Sequence, residues 1–81
     1  MTNLVRGNGR VSGILRGYLP SAGYCELRYV DGGSEMFSFA AELCKMTKAN
    51  PTVYLPLLHQ IVFLLFDDQW KVIRIEPASK A

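Results

Sequence analysis

The stretch Gly23-Tyr24-Cys25-Glu26-Leu27-Arg28-Tyr29-Val30-Asp31-Gly32-Gly33-Ser34-Glu35-Met36-Phe37-Ser38-Phe39 decides the fold. Asp31 and Gly32 suit the positive-φ positions of a tight hairpin turn, and Gly33 relieves strain on the way out. The flanks then read as two strands, from Tyr24 to Val30 and from Glu35 to Phe39. Period-two alternation puts Cys25, Leu27 and Tyr29 on an apolar face of the first, and Tyr24, Glu26, Arg28 and Val30 on a mixed, wet face. On the second strand Phe37 and Phe39 point one way and Met36 and Ser38 the other. The pattern leaves open which pair is inward. Aromatics on neighbouring strands build either a core or an exposed stacking platform, and the ligand depends on which.

Working outward, Arg10 to Leu19 reads as a first strand with Val11 and Ile14 as core candidates. Gly13 and Gly17 interrupt it and predict a bulge or strong curvature. Pro20, Ser21 and Ala22 make the turn. After the hairpin, Ala40 to Lys48 has the best helix propensity in the chain, and Asn50-Pro51 stops it. Thr52 to Leu55 reads as a brief extended piece before Pro56. Ile61 to Phe66 is apolar on both faces, as in a strand covered on both sides or one that offers a face to a partner. Asp67-Asp68-Gln69 is a turn. Trp70 to Glu76 is the last strand, with Lys71, Ile73 and Ile75 on one face and Trp70, Val72, Arg74 and Glu76 on the other. Residues 1–8 read as a loose leader, 9–77 as a single domain and 78–81 as a tail. The sum is an all-β fold: a five-stranded OB-type barrel with a short helix between strands three and four, the alternative being an SH3-like barrel.

With 81 residues the chain holds one domain, and 49% hydrophobic against 20% charged residues is a globular composition. A net charge of +2 permits an anionic partner without demanding one. Cys25 and Cys44 form no CxxC pair, and with His59 they make no metal-ligand set, so the expectation is two reduced thiols in a cytoplasmic protein with no metal and no cofactor. The first ten residues have no apolar core of a signal peptide, and Ile61 to Phe66 is too short to span a bilayer. His59 has no nucleophile or carboxylate at defined spacing, Asp67 and Asp68 diverge in a turn, and the glycines lack the Lys-Ser/Thr of a phosphate loop. The expectation is a protein that is not an enzyme.

The order of local signals resembles the cold-shock domain from Gly9 to Ile75. That family opens with Gly-x-Val, as in Gly9-Arg10-Val11. Its second strand begins Gly-aromatic-Gly-Phe-Ile, against Gly23-Tyr24-Cys25-Glu26-Leu27, and Asp31-Gly32-Gly33 matches the turn that follows. Its third strand reads Val-Phe-Val-His-Phe, against Met36-Phe37-Ser38-Phe39-Ala40, and its later Val-x-Phe is similar to Ile61-Val62-Phe63. The resemblance implies single-stranded nucleic acid, RNA or DNA, stacked on Tyr24, Phe37 and Phe39 with low sequence specificity. Gly13, Ile14, Glu26 and Ala40 stand where the family carries further rings. Stacking is worth about 1–3 kcal/mol per base, so the implied platform is a reduced one.

Two further expectations concern partners. Arg16 and Arg28 would contact phosphate beside the rings. The apolar excess between Leu55 and Phe66 is more than one small barrel can enclose, so part of it would face a protein partner or a second copy, with Val62, Leu64 and Phe66 as the interface.

Overall fold

A computed structural model describes residues 9–78. Its elements are β1 (Arg10–Leu19), β2 (Tyr24–Arg28), β3 (Ser34–Ser38), α1 (Ala41–Ala49), a short 3-10 turn (Leu55–Leu57), β4 (Ile61–Phe66) and β5 (Val72–Pro77). The strands form one antiparallel sheet in the order β3-β2-β1-β4-β5. Its two edges meet at a single parallel bridge, Phe39 to Val72, where the Ala40 N–H donates to the Val72 carbonyl at 2.8 Å. The sheet is thus curled into a barrel shape without being closed by a continuous ladder. Five strands, partial closure and a helix between the third and fourth are the expected OB-type arrangement.

β1 is the shared strand. Its first half pairs with β4, from Arg10↔Leu65 to Ile14↔Ile61, and its second half with β2, from Ile14↔Arg28 to Leu19↔Tyr24. The handover needs a close crossing at Gly13. A Cβ there would lie 2.8 Å from the Arg28 carbonyl oxygen and 2.9 Å from Leu27 Cγ. The expected bulge follows at Arg16, between the pairs Leu15↔Leu27 and Gly17↔Glu26. It resets the alternation, so that Leu15 and Tyr18 both face inward. Ile14, expected in the core, is half-buried on the outer face, and Leu15 takes the core position instead; Val11 packs against the core as expected.

A second bulge lies in β5. The register passes from Leu65↔Arg74 to Phe66↔Val72, leaving Ile73 as the extra residue. Val72 and Ile75 therefore both face the core, and Ile73, expected to share a face with Ile75, is 46% exposed. Strict alternation fails at both places for one reason: an inserted residue shifts the phase by one.

The helix docks Leu43 and Thr47 inward. The buried Thr47 hydroxyl donates to the Leu43 carbonyl at 2.9 Å, which satisfies it inside the helix. Glu42 in the first turn and Lys48 in the last complement the helix dipole. The expected extended piece at 52–55 is instead a run of turns leading into the 3-10 turn, with Pro56 inside it. His59 follows in a left-handed conformation, φ 70°, and its N–H donates to the Leu15 carbonyl at 2.7 Å to start β4 against β1.

Cys25 belongs to the fully buried core, and Cys44 on the helix is half-buried, its thiol 3.8 Å from the Phe39 carbonyl. Burial pushes the Cys25 thiol from 9.0 up to about 12. This packing makes three testable statements. Gly13→Ala costs about 1–3 kcal/mol by overpacking, whereas Ala at Gly32, which meets nothing within 4 Å but sits at φ 98°, costs only the roughly 1 kcal/mol of its backbone conformation; paired denaturant titrations measure the difference. In the native protein an alkylating reagent modifies Cys44 and spares Cys25, and both react after unfolding. Because the folded thiol titrates above the unfolded one, Cys25 contributes stability that is complete below pH 9.0 and is lost as pH rises toward about 12.

Candidate functional site

The register defines an outer face. Across the sheet, Ser38, Tyr24 and Leu19 stand in one row, and Met36, Glu26 and Gly17 in the next. Ser34, Arg28, Ile14 and Ile61 follow, then Ser12, Phe63 and Glu76, then Arg10, Leu65 and Arg74. All four described arginines are exposed on this face or, for Arg16, on its bulge. Arg74 is paired with Glu76 at 3.0 Å, and among the described residues this is the one ion pair. The Arg10 guanidinium lies 4.4 Å from the centroid of the Phe63 ring, a cation–π stack on the sheet surface. Among the described residues Arg16 and Arg28 form no ion pair, although Glu26 shares the face between Tyr24 and Arg28.

Of the expected nucleic-acid residues, Tyr24, Arg16 and Arg28 are brought together on this face, Tyr24 half-buried and both arginines exposed. Phe37 and Phe39 are not. Phe37 is 6% exposed and Phe39 5%; the Phe37 ring packs on Phe66 at 5.2 Å and the Phe39 ring on Tyr18 at 6.4 Å. The reason is cross-strand pairing. Phe37 sits directly opposite Cys25, and paired residues share a face, so an inward cysteine forces an inward phenylalanine. Met36, 57% exposed, and Ser38 hold the outer positions. A stacking role for Phe37 and Phe39 is thereby corrected.

The expected interface on β4 is corrected in the same way. Val62, Leu64 and Phe66 are all core residues, opposite Gly13 and Val11 of β1 and Val72 of β5. The outward side chains of that strand are Ile61, 55% exposed, and the half-buried Phe63 and Leu65. Ile61 and Ile14 are paired neighbours beside the exposed Val30 of the hairpin. With Arg28 and Ser12 they line a shallow apolar recess of about 380 Å³.

What the sequence reading missed is the stack of Arg10 on Phe63. They lie 53 positions apart, and only the β1–β4 register places them together. The Asp67 turn is structural. The Asp67 carboxylate accepts the N–H groups of Gln69 at 2.8 Å and Lys71 at 3.0 Å, which holds Trp70 at φ 62° with its ring against Phe66. His59 is exposed on its own turn. Among the described residues no three His, Cys, Asp or Glu side chains gather as a metal set, and no helix is long and apolar enough to cross a membrane. Comparison with protein-family models, curated proteins and solved structures finds no match.

Proposed function

We propose that this chain is a non-catalytic binding module that holds single-stranded nucleic acid weakly, and with low sequence specificity, on the outer face of its barrel. The observation that supports it best is the gathering of Arg10, Arg16 and Arg28, unpaired with carboxylate among the described residues, on the same face as the Tyr24 ring. Guanidinium forks suit phosphate, and the Arg10–Phe63 stack offers a planar cationic surface to a base. On this reading the chain is a diverged cold-shock-type barrel in which arginines stand in for most of the stacking rings. It works in the cytoplasm, where Cys25 and Cys44 remain thiols.

With few rings, binding is mainly electrostatic. Neutralising one phosphate per free arginine gives a slope of log K on log salt of about −2, at roughly −0.7 per phosphate on a single strand. Glu26 works against it by repelling phosphate at the centre of the face.

A second reading, a protein-docking module, is favoured by the exposed pair Ile14 and Ile61 beside Val30 around their apolar recess. Anisotropy titration with a short labelled oligonucleotide separates the two. Nucleic-acid binding predicts a salt slope near −2, a loss of several-fold for Arg28→Ala, and a loss of about tenfold for Tyr24→Ala, in line with one stacked base. No binding at low salt overturns it and leaves the protein-docking reading.

A further inference from the structure

We propose that Glu26 reads guanine: its carboxylate accepts the N1–H and N2–H of one guanine whose ring stacks on Tyr24. This inference rests on the nucleic-acid reading above and names the base that the face prefers.

Three side chains of β2 stand in line on the outer face. Tyr24, Glu26 and Arg28 follow one another at every second residue, a step of about 7 Å each. A ring, a pair of acceptors and a cation therefore come in order along one strand. For a carboxylate on an arginine-rich face, an ion pair is the ordinary outcome. Among the described residues the Glu26 carboxylate has neither an ion pair nor a hydrogen bond, although Arg28 is the next outward residue and Arg16 adjoins its cross-strand partner Gly17.

The carboxylate lies instead over Gly17. A Cβ at Gly17 would stand 3.3 Å from Glu26 Cβ and 3.4 Å from Glu26 Oε1. The missing side chain gives the carboxylate its place, half-buried over bare backbone in the row next to that of Tyr24. Its two oxygens are left without a partner beside the one tyrosine ring of the face.

The chemistry of the bases picks one of them. A carboxylate only accepts, through two oxygens side by side. On its Watson–Crick edge guanine offers two neighbouring donors, N1–H and N2–H. Adenine and cytosine offer one amino donor beside a bare ring nitrogen, which would set acceptor against acceptor. Uracil and thymine offer one N–H between two carbonyl oxygens. Guanine alone satisfies both oxygens with no acceptor against them. The charge that repels phosphate at the centre of the face thus leaves that place to a base edge, while Arg16 and Arg28 take phosphates beside it. One base is read and its neighbours are not, so overall specificity stays low.

Anisotropy with labelled single-stranded octamers of uridine or of deoxythymidine tests this. Each carries one central G, A, C or inosine, or none. The G octamer binds about tenfold more tightly than the A, C and unsubstituted octamers, the discrimination of one bidentate contact. Inosine, which lacks the N2 amino group, falls between. Glu26→Gln keeps the shape of the side chain and removes its charge. The preference for G then shrinks to less than about threefold, and the unsubstituted octamer binds more tightly, with circular dichroism unchanged. Tighter binding of every octamer by Glu26→Gln with the G preference intact makes the carboxylate a repelling charge only, and overturns the assignment. So do equal affinities for all the octamers in the wild type. Both of these results leave the nucleic-acid reading standing. No binding of any octamer at low salt overturns the nucleic-acid reading itself, and this inference with it.

Discussion

The structure depends on how β3 is held at its end. The Phe39 N–H reaches across to Gly23, the Ala40 N–H to Val72, and Phe39 bridges to Val72 where the two sheet edges meet. Fixed on both sides, the strand has only one phase available, since a one-residue slip would turn every side chain over. That phase drives Phe37 and Phe39 into the barrel against Phe66 and Tyr18, and leaves Met36 and Ser38 outside. A domain of this size has little core to spare, and two phenylalanines are a large part of it. The barrel therefore takes the rings that a stacking surface would need.

What remains outside has a different chemistry. The outer face carries arginines, one half-buried tyrosine, a phenylalanine under a guanidinium, and an aliphatic pair at Ile14 and Ile61. Such a surface attracts anions through charge more than through ring contact, which makes any nucleic-acid affinity a function of salt. The bulges matter here too. By displacing Arg16 and Ile73 from the alternation, they expose a cation at one place and an aliphatic side chain at the other, while Leu15, Tyr18, Val72 and Ile75 stay with the core.

Most of the fold was legible in the sequence. The turn after β2, the glycine-interrupted first strand, the helix after Phe39 and the apolar fourth strand are local signals that the structure keeps, with one correction inside the turn: only Gly32 takes a positive φ, 98°, while Asp31, expected to share it, sits with Val30 at the centre of a turn closed by the Gly32 N–H on the Tyr29 carbonyl. The site was less legible because it depends on phase and register. Alternation cannot show whether Phe37 or Met36 faces inward without knowing that Phe37 pairs with Cys25. In Ile61–Phe66 every position is apolar, so the inward set Val62, Leu64 and Phe66 could be told from Ile61, Phe63 and Leu65 only through pairing with β1. The bulge at Ile73 left no mark in composition. Arg16 and Arg28, on the wet side of a well-patterned hairpin and its neighbour, were readable; Arg10 over Phe63 was not.

The phase of β3 is the claim on which the rest turns, and the unmodified protein can report it. In a dilute NMR sample the account predicts ring-to-ring contacts of Phe37 with Phe66 and of Phe39 with Tyr18. It also predicts that a soluble paramagnetic agent broadens the Met36 methyl while sparing both phenylalanine rings. Broadened Phe37 and Phe39 rings, with the Met36 methyl in contact with Phe66, would contradict it.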